Sequence, residues 1–259
     1  MIYLALTVWL FAILFAGLGV YRLWAGLVKP KYVGWALLPG TLVCELAYIL
    51  GCLITGGEVR RARLIPSGDS RGPRSADPTT EDTPKLKVIG PVVASLLALL
   101  AGVSSILVVR WLLGEPVIET FVLHRGLLAI PSLPKELPGS WDGLWGLLAA
   151  QVDLLRHTFE FWPELEWTHW RVPLFVYLTT CLAVRLAPGG RDLRWSLLAA
   201  AVLAGGIAVA ALASDRFAGL MEDVWPLLTY LWALLLFLLA VTGLIYAGVG
   251  IVNVLRGKK

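Results

Sequence analysis

Repeated apolar runs, each long enough or nearly long enough to cross a bilayer, constrain this chain more than any other feature. Residues 2–26 carry one charged side chain, Arg22, and further apolar runs follow at 33–55, 88–113, 172–187, 194–213 and 225–251. About 20 apolar residues suffice to span the hydrocarbon core. The spacing therefore predicts an all-α polytopic membrane protein with about six transmembrane helices. Only 15% of the side chains are charged, against roughly 25% in soluble domains, which excludes a large-cored soluble enzyme. The net charge of +4 comes from connecting segments, and no cationic stripe interleaved with aromatics marks a nucleic-acid face. Cys44, Cys52 and Cys181 all lie in apolar segments and read as small packing residues rather than a disulfide framework. No Lys or Arg precedes the first run, so it reads as a signal anchor rather than a cleaved peptide.

The connections carry the topology. Lys29-Pro30-Lys31 ends the first run, because proline cannot continue a helix interior. Glu58 to Lys87 holds seven Lys/Arg. Glu58 to Ile65 roughly alternates in polarity, the pattern of a short β segment after the second helix. Pro66 to Pro84 has almost no apolar side chain and reads as a disordered linker. Cationic loops face the cytoplasm. Putting 57–87, 185–194 and the C-terminus there accounts for thirteen of the twenty-two Lys/Arg and predicts both termini cytoplasmic, in a bacterial inner membrane. Lys29 and Lys31 then fall on the wrong side. A re-entrant 33–55 segment removes that conflict.

Residues 114–172 are acidic, with eight Asp/Glu against four Lys/Arg, and hold five of the twelve tryptophans. Pro116, Pro131, Pro134 and Pro138 predict an extended first part. Ser140 is placed to cap a helix whose Leu144, Leu148, Val152, Leu155, Phe159 and Trp162 recur at helical spacing. Indole rings favour the membrane interface, so this segment is expected to be an extracytoplasmic amphipathic helix on the outer leaflet. The organisation expected is an N-terminal hairpin (1–65), the linker (66–84), a third span (85–113), the interfacial region (114–172) and a three-span bundle (173–259).

The second apolar run contains Glu45. A charged residue at a membrane helix centre costs about 2.5–3.5 kcal/mol on insertion scales, so it is a functional candidate or a buried polar residue hydrogen-bonded to a neighbour such as Tyr48, Thr179 or Thr180. Zinc peptidases commonly carry His-Glu-x-x-His on one helix, where i and i+4 share a face and the glutamate activates water. Here the same register reads Cys44-Glu45-Leu46-Ala47-Tyr48. With Pro39-Gly40-Thr41 before it and Thr55-Gly56-Gly57 leading to a basic strand after it, the stretch from Pro39 to Leu64 resembles the intramembrane site-2 protease-like metallopeptidases. Ala187 to Leu193 is similar to a proline-containing segment of some bacterial members.

That resemblance implies a zinc ion held by two histidines and an aspartate from a later span. Cys44 stands at one histidine position and Tyr48 at the other. Asp142 and Asp192 are the aspartates weighed for the third ligand. Catalytic zinc ordinarily keeps three protein ligands and an open position. The expectation is therefore a non-catalytic member that binds or regulates another membrane protein, with the lipid bilayer as its other partner. Two alternatives are an active peptidase with an atypical Cys44/Glu45 site, and a transporter or channel subunit with Glu45 on a polar path. His124, His157 and His169 share the outer region without a zinc spacing. Glu160, Glu164 and Glu166 read as a solvated acidic face. Ser104-Ser105 has no base nearby in sequence, and Gly243 with Ala247 reads as ordinary helix packing.

Overall fold

The computed structural model describes residues 2–62, 80–83, 89–127, 133–136, 138–187, 193–213 and 216–255. Its helices are α1 (Ile2–Leu27), α2 (Pro30–Ala36), α3 (Leu38–Ile54), α4 (Ile89–Leu113), α5 (Glu115–Leu127), α6 (Trp141–Phe161), α7 (Arg171–Arg185), α8 (Leu193–Ala213) and α9 (Arg216–Leu255). A 3₁₀ turn, Trp162–Glu164, follows α6. Strands β1 (Glu58–Ala62) and β2 (Thr80–Thr83) pair antiparallel with a bulge between Val59 and Arg61. Gly56, at φ 73°, makes the turn into β1, a backbone region that side chains with a Cβ rarely adopt. The remainder of the 66–84 linker lies outside the described residues, as does Asp192.

Among the described residues, three helices are long and apolar enough to cross a membrane: Tyr3–Leu27, Ile89–Leu113 and Val224–Val252. Leu38–Ile54 and Arg194–Ala210 are shorter apolar helices. The polarity of α3 is inverted relative to an amphipathic helix of a soluble protein. On α3 the residues turned inward include Thr41, Cys44, Glu45 and Tyr48, while Leu46, Leu50 and Leu53 are each more than half exposed. Polar groups facing the bundle and leucines facing out fit a protein solvated by lipid.

Side-chain contacts give each helix its direction. Along α1 and α9, Trp9 meets Trp232 with ring centroids 5.4 Å apart, Gly19 lies beside Leu239, Trp24 Nε1 donates to Thr242 Oγ1 at 3.0 Å, and Gly26 lies beside Tyr246. The numbers rise together, so the two helices are parallel. α1 also parallels α7, with Gly17 beside Ala183 and the Arg185 guanidinium 4.6 Å from the Tyr21 ring centroid. In turn α3 parallels α7. The Tyr177 hydroxyl and Cys181 thiol both donate to the Ala36 carbonyl, at 2.9 and 3.3 Å, Gly40 backs onto Cys181, and Cys44 and Leu186 converge on Gly102. α4 runs opposite to both, with Gly51 on Ala94 and Gly114 beside Phe175.

Two expectations are corrected by these directions. α1 and α9 are parallel, so the start of α1 and the end of α9 lie at opposite ends of the bundle rather than at one. α1 and α3 also run the same way, so residues 33–55 are not a second full span. Residues 28–37 carry the chain back from the end of α1 to the start of α3. The breaks that allow this are Lys29, extended at φ −55° and ψ 128° before Pro30, and Leu37 at φ −94° and ψ 11°. Reading each apolar run as one crossing missed the second of them, because residues 32–37 lead into α3 without a charged side chain.

The ends of α1, α3, α7 and α9 and the starts of α4 and α8 gather at one end of the bundle, where the cationic segments attach. At the other end sits a cap of α5, α6 and the 3₁₀ turn. Two indoles clamp its linker: Trp9 Nε1 donates to the Pro134 carbonyl at 3.2 Å and Trp225 Nε1 to the Leu133 carbonyl at 2.7 Å. Residues 115–127 form α5, not the extended segment expected, because Pro116 sits in the first turn, where its missing N–H costs nothing. Helix α9 begins at Arg216, ahead of the apolar run that starts at residue 225.

Candidate functional site

Helix α3 presents Cys44, Glu45 and Tyr48 on one buried face, together with Gly40, Thr41, Gly51 and Cys52. Two glycines hold that face shut. A Cβ at Gly40 would lie 2.2 Å from the Cys181 carbonyl oxygen on α7, and one at Gly51 would lie 2.5 Å from Ala94 Cα on α4. Backbones in that contact leave no room for a side chain, and such close approach is how membrane helices gain dispersion energy. Tyr48 and Cys52 pack with Ala94 and Ala98 in a buried cluster, and the Cys44 sulfur points toward Gly102. Glu45 itself is 8% exposed. Thr179, weighed as its partner, donates its hydroxyl to the carbonyls of its own helix at Phe175 (2.7 Å) and Val176 (3.2 Å).

The residues present do not fit a zinc centre of the kind the resemblance implies. Cys44 and Tyr48 are packed against α4. Asp142 belongs to the first turn of α6 in the cap. Among the described residues no group of three His, Cys, Asp or Glu side chains comes together to hold a metal ion. A three-ligand site with an open position is therefore not assembled around Glu45 by any described residue.

The cap holds a second constellation. His124 on α5 bonds through Nδ1 to the Glu164 carboxylate in the 3₁₀ turn. The His124 ring lies 4.9 Å, edge to face, from His157 on α6. His157 is fully buried, stacked on Phe161 and edge-on to Phe121. Beside this cluster opens a cleft of about 590 Å³ lined by Glu115, Glu119, Glu164, Glu166, His169 and Arg171, among others. That volume lies in the range of small-molecule sites. Of the acidic face expected here, Glu160 instead pairs with Arg156 along α6 at 2.9 Å. Sequence reasoning grouped the three histidines only by region. Helical register pairs each with an aromatic on its own helix, His124 three residues after Phe121 and His157 four before Phe161, but the meeting of the two faces is a tertiary contact that carries no signal in the sequence.

No protein-family model, no curated protein and no solved structure matches this chain.

Proposed function

We propose that this chain is an integral membrane protein of site-2 protease-like ancestry that binds or regulates another membrane protein and does not hydrolyse it. The observation carrying the non-catalytic part is the closure of α3. A glutamate that activates water must reach both water and substrate, yet Glu45 is 8% exposed behind the Gly40 and Gly51 contacts. The orientation that goes with this reading places the cationic end in the cytoplasm of a bacterial cell and the Trp-rich cap outside. Lys29 and Lys31 then join the cytoplasmic set, raising it to fifteen of the twenty-two Lys/Arg and removing their conflict with the positive-inside rule. The N-terminus lies outside in this arrangement.

The test is metal content and cleavage together. Purified protein is expected to hold no stoichiometric zinc, and Glu45→Gln to leave any co-expressed membrane substrate as intact as the parent chain does. One tight zinc per chain, or cleavage that vanishes with Glu45→Gln, contradicts the proposal. Zinc bound only by the Cys44→His/Tyr48→His double variant would identify a peptidase frame with a vacated site.

A further inference from the structure

We propose that the N-terminal two-thirds of α6 is embedded in the outer leaflet, as a ledge reaching sideways from the bundle. The inference stands apart from the Glu45 reading and rests on a face of α6 that the protein leaves open. Sequence periodicity put Leu144, Leu148, Val152, Leu155 and Phe159 on one stripe, the face an amphipathic helix ordinarily turns to its own protein. The structure buries a different one. Leu154, His157, Thr158 and Phe161 face the core, and Gln151 is held from the same side by Trp232 Nε1 at 2.6 Å.

The helix therefore has three sides. Asp142, Asp153, Arg156 and Glu160 lie on a polar side. The remaining side carries Trp141, Trp145, Leu148 and Val152, and Trp141 and Val152 are 71% and 66% exposed. Leaving four such side chains in water forgoes about 1.5–3 kcal/mol for each large aliphatic, so another apolar medium must cover them.

Continuity identifies the medium as lipid. At its C-terminal end the stripe runs onto the membrane-length helix α9. Phe159 meets Phe237 with centroids 4.8 Å apart, and Trp162 stacks on the same ring at 5.0 Å. The exposed Trp111, at the end of α4, and Trp170, at the start of α7, belong to the same end of the bundle. Indoles collected at one end of a bundle are the signature of an interfacial belt. A helix with one apolar and one charged side lies in the plane of that interface.

Nitroxide labels on Leu148→Cys and Val152→Cys test this in the full chain, reconstituted in phosphatidylcholine/phosphatidylglycerol vesicles. Asp142→Cys and Asp153→Cys report the polar side. Cys44, Cys52 and Cys181 are buried, and the unsubstituted chain carried through labelling gives the background. The ratio of oxygen to water-soluble nickel accessibility is expected to be several-fold higher at 148 and 152 than at 142 and 153. Nickel-dominated relaxation at 148 and 152 would place the stripe in water. Shielding from both reagents would mean that a protein surface, a second copy included, covers it. Either result overturns the proposal. A second measurement needs no cysteine: quenching of intrinsic fluorescence by headgroup-proximal brominated lipid should fall in Trp141→Phe/Trp145→Phe. Unchanged lipid quenching with reduced iodide quenching would also overturn it.

Discussion

Helices α3 and α6 both turn large apolar side chains outward, and differ in how closely their backbones approach the rest of the protein. In α3 the small and polar residues turn inward, and Gly40 and Gly51 bring its backbone onto two neighbours. In α6 a Cβ at Gly146 would meet no other helix among the described residues, and tryptophan and valine point away from the protein. The motif-bearing face of α3 thus packs against two neighbouring helices, whereas one apolar side of α6 is left to its surroundings. A costly intramembrane glutamate drew attention to α3, but burial alone does not separate a site from a structural polar group.

The largest expected effect breaks the α3 side of this contrast. Gly40→Ala forces a methyl onto the Cys181 carbonyl and is expected to destabilise by about 3 kcal/mol, the upper end of ordinary overpacking. A lowered thermal midpoint in detergent checks it, and a midpoint within error of the parent would mean that α3 is not clamped. Next comes Trp225→Phe, which keeps the ring bulk but removes the donor to the Leu133 carbonyl, at a cost of about 1 kcal/mol. Faster amide exchange confined to α6 and its linker is the readout. The α6 counterpart of the first variant has the opposite sign. Gly146→Ala, in open space, is expected to stabilise by about 0.5–1 kcal/mol through helix propensity, measured by the same melt. The smallest effect belongs to Thr41. Its hydroxyl is buried with no hydrogen-bond partner among the described residues, while Thr158, Thr179 and Thr229 each bond a carbonyl one turn back. Thr41→Val is expected to be neutral or slightly stabilising, because it removes an unsatisfied group without changing shape.

Much of the helix inventory was legible in the sequence. The apolar runs at 2–26, 88–113, 172–187 and 194–213 match α1, α4, α7 and α8 to within a few residues, and Ser140 caps α6 by accepting from the Gly143 N–H at 3.1 Å. Helix direction was not legible, since hydropathy has no sign along the chain. The reversal at residues 28–37 depends on the backbone at Lys29 and Leu37, where Pro30 was visible but the break at Leu37 left no composition signal. Helix α5 was hidden by Pro116, which was read as a breaker when it begins a helix. For α6 the 3.6-residue period was legible, but the face that packs on the protein, Leu154, His157, Thr158 and Phe161, was not, because a stripe facing lipid and a stripe facing protein carry the same residues. In the candidate site, the shared face of Cys44, Glu45 and Tyr48 followed from i and i+4 spacing. The Gly40 and Gly51 contacts that close it are tertiary and could not be read from α3 alone.

Cys44 stands next to Glu45 on the closed face, so its thiol reports the state of that face without any substitution. Native membranes treated with the permeant reagent N-ethylmaleimide, followed by mass spectrometry of the Cys44 peptide, measure it directly. The account expects Cys44 to stay unmodified until the protein is unfolded and then to react fully. Reaction of Cys44 in the folded protein at the rate of a solvent-exposed thiol would reveal a water-filled cleft beside Glu45 and contradict the account.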